Sequence, residues 1–437
     1  MSKLIISGGK PLKGEIQLMG AKNVASKLMV ASLLTEEECI LENFPKIGDT
    51  DITAELCGAL GSELTYGENL LKIKTARIKN HKVQSLSRRN RIPILAIGPL
   101  LSRGGEAEVP ILGGDKIGPR PVDLHVMVLM ALGAEVEVGN GVYRARAPNG
   151  LRGAKISFPY PSVGATESAL YASVLAIGRT VLQNAAIEPE IIDLIKFLQK
   201  MGAIIELGAG RTLFIDGVAK LRGASHHIMN DRNEAASFGS LALATHGDIF
   251  MRGAEQEHLI TFLNAVRRVG GEYEVHPDGI RILCEHEPKA IEIETDTHPG
   301  FMTDWQQPFV VALTQAYGTS VIHETIYEDR FGYTNDLNLM GARITVFSKC
   351  LGDRPCRFTG KGFMHSAVIL GPTPLTGKKL VTRDLRSGMV NIIAGLTAEG
   401  ETEISGVDEI DRGYYKIDER LKNIGALIER EKVYNAK

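Results

Sequence analysis

The chain has almost no net charge, few cysteines and a single tryptophan. Its 437 residues carry 50 Lys and Arg against 52 Asp and Glu. So close a balance gives no electrostatic ground for binding nucleic acid or a membrane surface, and neither partner is expected. No apolar run approaches the ~20 residues that span a bilayer. The opening MSKLIISGGKPLKGEIQ lacks the apolar stretch and cleavage site of a secretory leader, so a cytoplasmic protein is expected. The five cysteines, Cys39, Cys57, Cys284, Cys350 and Cys356, form no CxxC pair and no zinc spacing; they read as buried free thiols in a reducing compartment. The GxxxxGK[ST], GxSxG, HExxH and dinucleotide GxGxxG signatures are also missing, which disfavours P-loop, serine-hydrolase, zincin and nucleotide-cofactor chemistry.

What the chain does contain is a recurring phrase. ALGSELTYG near Gly61 returns as ALGAEVEVG near Gly133, KMGAIIELG near Gly202, RVGGEYEV near Gly270, LMGARITV near Gly341 and NIGALIER near Gly425. The period is about 70 residues, a repeat signal. In each copy an apolar-periodic stretch such as IIDLIKFLQKMGA predicts an amphipathic helix. The glycine suits a left-handed C-cap, and an alternating segment such as EVEV predicts a strand. Half a period away lie LKGEIQLMGAKN, LRGAKISFPYPSVGATES, LRGASHHIMNDRNEAAS and LTGKKLVTRDLRSGMV. Each predicts a strand, a polar loop and a small-residue helix apolar on most faces, hence buried. Six repeats are expected, grouped in two sets of three, consistent with the two or three domains that this length suggests.

The polar loops place Lys22–Asn23, Arg91, Ser162–Thr166, Asp231–Arg232, Asp304 and Arg386 at comparable points of successive repeats. Ordinary helix caps would be Ser, Thr, Asp or Asn, not Lys22, Arg91 and Arg386. Free backbone N–H groups at buried helix starts suit anions, and Arg120, Arg386 and Arg412 add forked donors for carboxylate or phosphate. Asp304, beside Trp305, is a candidate general base if apolar neighbours raise its pKa. The loop GGDKIGPRPVDLH, 113–125, crowds Asp115, Lys116, Arg120, Asp123 and His125 between glycines and prolines.

Together GAKN (20–23), the 113–125 loop, SVGATE (162–167), EPEIIDL (188–194), PGFMTDWQ (299–306), YEDRF (327–331), DLRSG (384–388) and IDRGYYKID (410–418) carry a resemblance. Over nearly its whole length the chain resembles the UDP-N-acetylglucosamine enolpyruvyl transferases of the EPSP synthase family. The resemblance implies a two-domain, inside-out α/β barrel. Six βαβαββ-type units are expected, three per domain. One domain would be 22–230 and the other 1–21 plus 231–437, with the active site in the cleft between them.

The implied reaction transfers the enolpyruvyl group of phosphoenolpyruvate to the 3'-hydroxyl of UDP-N-acetylglucosamine, releasing phosphate, at the first committed step of peptidoglycan synthesis. No metal and no cofactor are implied, and an active site within one chain is expected, whatever the oligomeric state. By position, Lys22, Asn23, Arg120, Arg386 and Arg412 would hold phosphoenolpyruvate. Arg91, Arg120, Pro121, Val122, Asp123, Leu124, His125, Ser162, Val163, Gly164, Asp304 and Ile326 would line the UDP-sugar site. Asp304 would take the hydroxyl proton and Asp115 would be the acid, with Lys22 and Arg412 also catalytic.

Two positions depart from the usual family pattern: Asp115 stands where cysteine is common, and Tyr160 where lysine is. Fosfomycin acts on this family by alkylating the loop thiolate, so Asp115 implies insensitivity. Alternatives are transfer to another nucleotide or sugar, or a non-catalytic paralogue; loss of Lys22, Asp304 or Arg412 would favour the latter, and none is lost.

Overall fold

The repeats of the sequence emerge as six sheets, five of four strands and one of three, among the described residues. The computed structural model describes residues 2–83, 85–87, 91–111, 121–354 and 356–432. The expected acid Asp115 and the arginine Arg120 lie outside them.

One repeat shows the logic. Strand Lys155–Ser157 leads to helix Val163–Ser173, strand Arg179–Gln183, helix Pro189–Lys200 and the hairpin Ile204–Gly208 and Thr212–Asp216. Strand 155–157 pairs parallel with 179–183, which pairs antiparallel with 212–216, itself antiparallel to 204–208. This is the expected βαβαββ unit. Two sheets take their parallel first strand from far along the chain. Lys13–Gln17 joins Asp248–Arg252, and Ser225–His227 joins Glu38–Glu42. A third is completed by Ser2–Ser7, which pairs with both Glu401–Ser405 and Leu427–Lys432.

The described chain divides into two units, residues 20–111 with 121–229, and residues 2–19 with 230–432. Each holds three sheets. In the first, the largely buried first helices of the repeats are Lys22–Ala31, Ile97–Gly104 and Val163–Ser173. In the second they are Arg232–Ala244, Thr303–Thr314 and Leu385–Thr397, packed against one another. Every residue of Arg232–Ala244 is buried. A helix with no polar face must be covered all round, and the sheets supply the cover. Their strands alternate, as in Thr212–Asp216, where Leu213 and Ile215 are buried. The second helix of a repeat is one-sided: Pro189–Lys200 buries Ile191, Leu194, Ile195 and Leu198 and exposes Lys196, Gln199 and Lys200. Among the described residues no helix is long and apolar enough to cross a membrane.

The six phrase glycines all have left-handed backbones, with φ of 110° at Gly61, 92° at Gly133, 106° at Gly202, 96° at Gly270, 112° at Gly341 and 91° at Gly425. Each stands between a helix and the strand that follows it. A Cβ at Gly202 would meet no neighbouring atom, so a substitution there is opposed by backbone strain alone. Gly202→Ala is expected to lower the unfolding free energy by about 1 kcal/mol. Gly58→Ala, at an exposed, uncrowded site inside helix Gly48–Leu60, should raise it by about 0.5–1 kcal/mol. Urea unfolding of the two variants checks the contrast; equal shifts would contradict it.

Candidate active site

The singled-out positions fall at the starts of the six core helices. Lys22 is the first residue of Lys22–Ala31, and Ser162 and Asp231 are N-caps. Arg91 precedes the Ile92–Ala96 turn that runs into Ile97–Gly104. Asp304 and Arg386 are the second residues of their helices. Ser162 and Asp231 accept backbone N–H bonds as caps do, and the helix of Arg386 is capped by Asp384 instead. Cations at helix starts oppose the helix dipole, so Lys22, Arg91 and Arg386 are not there for helix stability.

In the unit of residues 20–229, Lys22 Nζ lies 2.9 Å from Asp49 Oδ2, with both side chains largely buried. The backbone carbonyl of Asn23 accepts a bond from Lys27 Nζ, which stands 3.7 Å from Glu167 Oε1. Burial pushes the Glu167 carboxyl up to about 7 against the pull of Lys27. The Tyr171 hydroxyl donates to the Lys27 carbonyl at 3.0 Å. These bonds join the GAKN and SVGATE stretches.

Arg91 Nη2 donates to the Pro121 carbonyl at 3.4 Å, which brings it beside the 121–125 segment. Pro121 and Asp123 are exposed and Val122 partly so, whereas Leu124 and His125 are buried. His125 shares a 2.8 Å hydrogen bond between Nδ1 and Ser168 Oγ. Its ring fills the space a Cβ on Gly164 would need, 2.9 Å from His125 Cε1. His125 thus supports the 162–164 turn from within, while Ser162, Val163 and Tyr160 are open to solvent in part.

In the unit containing residues 230–432, Asp304 sits between two guanidinium groups. Its Oδ1 accepts a short bond from Arg330 Nη2, and its Oδ2 accepts from Arg386 Nη2 at 3.2 Å. Arg330 and Arg386 are both buried. Arg386 Nη1 donates to the Tyr414 hydroxyl at 3.0 Å, which is 2.8 Å from Ser237 Oγ. Arg412 Nη1 donates to Glu409 Oε2 at 2.8 Å.

Behind Arg330 lies buried Glu324. Its carboxylate accepts from Thr303 Oγ1 at 2.9 Å and from the backbone N–H groups of Ile326 and Tyr327 at 2.8 and 3.0 Å. Burial pushes the Glu324 carboxyl up, and the Arg330 charge opposes the rise. The surroundings of Asp304 therefore differ from the apolar ones expected. Trp305 turns into the core, where its Nε1–H bonds Asn233 Oδ1 at 3.0 Å. Two guanidinium neighbours favour a charged carboxylate.

Arg330 and Glu324 had no assigned role. Both stand in the stretch HETIYEDR, whose clustered acids beside one arginine are the only local signal for them.

The family model described as EPSP synthase (3-phosphoshikimate 1-carboxyvinyltransferase) matches residues 6–421. A protein of Protochlamydia amoebophila named UDP-N-acetylglucosamine 1-carboxyvinyltransferase is 48% identical over 99% of this chain and 96% of its own length. One of the same name from Zymomonas mobilis is 42% identical over 98% of this chain and 99% of its own. Among solved structures, the enolpyruvyl transferase NikO from Streptomyces tendae aligns with a TM-score of 0.85 at 21% identity, covering 98% of both chains. EPSP synthase from Acinetobacter baumannii aligns at 0.69 and 18%, covering 99% of this chain and 100% of its own. These two likenesses bear on the fold.

Burial, reinforced by the Arg91 charge, lowers His125 to about 3. The unfolded chain takes its proton near pH 6.5. The folded pKa is the lower one, so stability drops as pH falls below ~6.5 and continues to drop toward 3. At pH 5 the loss from this residue is about 2 kcal/mol. His125→Gln is expected to shrink the pH 7-to-5 stability loss by about that amount, measured by urea unfolding at the two pH values. An unchanged loss would show that His125 titrates normally.

Proposed function

The chain belongs to the UDP-N-acetylglucosamine 1-carboxyvinyltransferases of the EPSP synthase family, and we propose that it transfers the enolpyruvyl group of phosphoenolpyruvate to the 3'-hydroxyl of UDP-N-acetylglucosamine. The observation that carries this reading is the set of basic side chains at the starts of core helices, with the Asp304 carboxylate held between the buried Arg330 and Arg386. Both substrates are anionic. Lys22, Asn23, Arg120, Arg386 and Arg412 neutralise phosphoenolpyruvate. Arg91, Arg120, residues 121–125, the Ser162–Gly164 turn and Ile326 receive the nucleotide sugar, with His125 acting through the turn it supports. Such a product supplies peptidoglycan synthesis, a cytoplasmic step.

The reaction proceeds by addition and elimination. The 3'-hydroxyl oxygen bonds to C2 of phosphoenolpyruvate while C3 takes a proton, and Asp304 receives the hydroxyl proton. Asp115 supplies the proton to carbon. C3 then loses a proton, the C2–O bond to phosphate breaks, and inorganic phosphate leaves. Positive charge develops at C2 in the transition state of each step, so nearby carboxylates serve it better than neutral groups. The Arg330 and Arg386 bonds hold Asp304 as an oriented carboxylate but weaken it as a base. Substrate anions drawing on the same arginines would restore its basicity.

Phosphate release from phosphoenolpyruvate that requires UDP-N-acetylglucosamine tests the reading, with Asp304→Ala expected to lower kcat by at least about 100-fold. Release with no dependence on the sugar nucleotide would contradict it. A carboxylate at 115 is a poorer nucleophile than a thiolate, so the protein should resist time-dependent inactivation by fosfomycin. Asp115→Cys is expected to create that inactivation and to move the alkaline limb of the pH–rate profile upward. Inactivation of the unmutated protein, or an unmoved limb, would overturn the role given to Asp115.

A further inference from the structure

Among the described residues, four hairpins are closed by two or three residues, as between Glu63–Gly67 and Leu70–Lys74 or Ile204–Gly208 and Thr212–Asp216. The hairpin of Arg343–Phe347 and Ser366–Gly371 instead carries the 18-residue connection 348–365, with no strand or helix among its described residues. A long irregular connection has little backbone pairing to hold it and needs other fastening.

Within it stand Cys350, Cys356 and His365, and they meet His323 from the neighbouring strand Gly318–His323. The reading of five buried thiols therefore holds for Cys39, Cys57 and Cys284 but not for these two, which are only partly buried. Cys350 Sγ lies 3.4 Å from Cys356 Sγ and 3.3 Å from His365 Nε2. One ligand atom from each of the four residues lies within 4.8 Å of every other. A tetrahedral zinc ion with two sulfurs at ~2.3 Å and two nitrogens at ~2.0–2.1 Å requires ligand separations of roughly 3.3–3.8 Å.

The histidine surroundings point the same way. His323 Nδ1 faces Glu294 Oε2 at 3.1 Å, and His365 Nδ1 faces the Phe363 carbonyl at 2.7 Å. Each acceptor takes an Nδ1–H, which leaves the lone pair on Nε2, the arrangement of zinc-binding histidines. His323 Nε2 is buried and makes no hydrogen bond. Glu294 also accepts the backbone N–H groups of Asp353 and Arg354 at 3.0 and 3.1 Å, so one carboxylate orients a ligand and anchors the connection.

We propose that His323, Cys350, Cys356 and His365 bind one zinc ion that staples the 348–365 connection to its sheet. Binding displaces the thiol protons to solvent, involves no change of oxidation state and fills all four tetrahedral positions, so the ion is structural. Soft thiolates exclude magnesium and calcium. The stapled connection carries Arg357, which donates to the Ile326 carbonyl and stands 3.7 Å from Glu328. The ion therefore also steadies the 326–328 backbone.

Metal analysis of the full chain, purified without chelator, is the test. About one zinc per chain is expected, falling below a tenth of that in the double variant Cys350→Ser, Cys356→Ser and unchanged in Cys284→Ser. On the unmutated protein, Cys350 and Cys356 should resist alkylation until a chelator is added. Cobalt exchange should give thiolate charge-transfer and tetrahedral d–d absorption. A chain that is metal-free and takes up neither zinc nor cobalt would overturn the proposal. So would zinc retained by the double variant, or a native mass two hydrogens light with Cys350 and Cys356 joined as a disulfide.

Discussion

Helices without a polar face decide this architecture. Arg232–Ala244 buries all its residues, and Leu385–Thr397 nearly all. Such segments find cover only if they pack on each other and are wrapped by something apolar on one side and wet on the other. Three sheets per unit do this, and the sheet-and-helix repeat follows from it. The same burial has a second effect. The starts of these helices, whose first N–H groups are capped by Asp231 and Asp384, end up inside. Whatever side chains occupy those turns must live in a low-dielectric place.

Charge is tolerated there because it is matched. Arg330 and Arg386 are buried against Asp304, with Glu324 behind Arg330 and Tyr414 beside Arg386. Lys22 is matched by Asp49 and Arg420 by Glu234. Removing one member of such a group leaves a buried charge uncompensated, at a cost of about 3–5 kcal/mol. That cost keeps each guanidinium oriented before any substrate arrives, which is the condition for electrostatic catalysis without reorganisation. The residues proposed for the chemistry are thus also residues the fold relies on.

Much of this was legible beforehand because it repeats. A glycine that ends a helix at a period of about 70 residues is a backbone requirement, and all six glycines have the left-handed φ it implies. Likewise a lysine or arginine at a buried helix start is conspicuous because it cannot be a cap. Other features depended on pairing across the sheet. His323 faces Ser366 across the antiparallel ladder, and Phe347 faces it from the other side. That register brings His323 to His365 and to a connection holding two cysteines, which spacing along the chain does not reveal. Asp304 was misread in its surroundings for a similar reason. Trp305 is adjacent in sequence but points the opposite way, and the groups that touch Asp304 come from positions 330 and 386.

The proposed reaction protonates carbon with Asp115 and then eliminates phosphate. Running the reaction of phosphoenolpyruvate with UDP-N-acetylglucosamine in heavy water tests it most directly. The methylene carbon becomes a methyl group in the intermediate and then gives up one of three hydrogens. Mass spectrometry should therefore find solvent deuterium in the vinyl group of the transferred product, with phosphate released in equal amount. Product formed with an undeuterated vinyl group, or no transfer at all, would contradict the account.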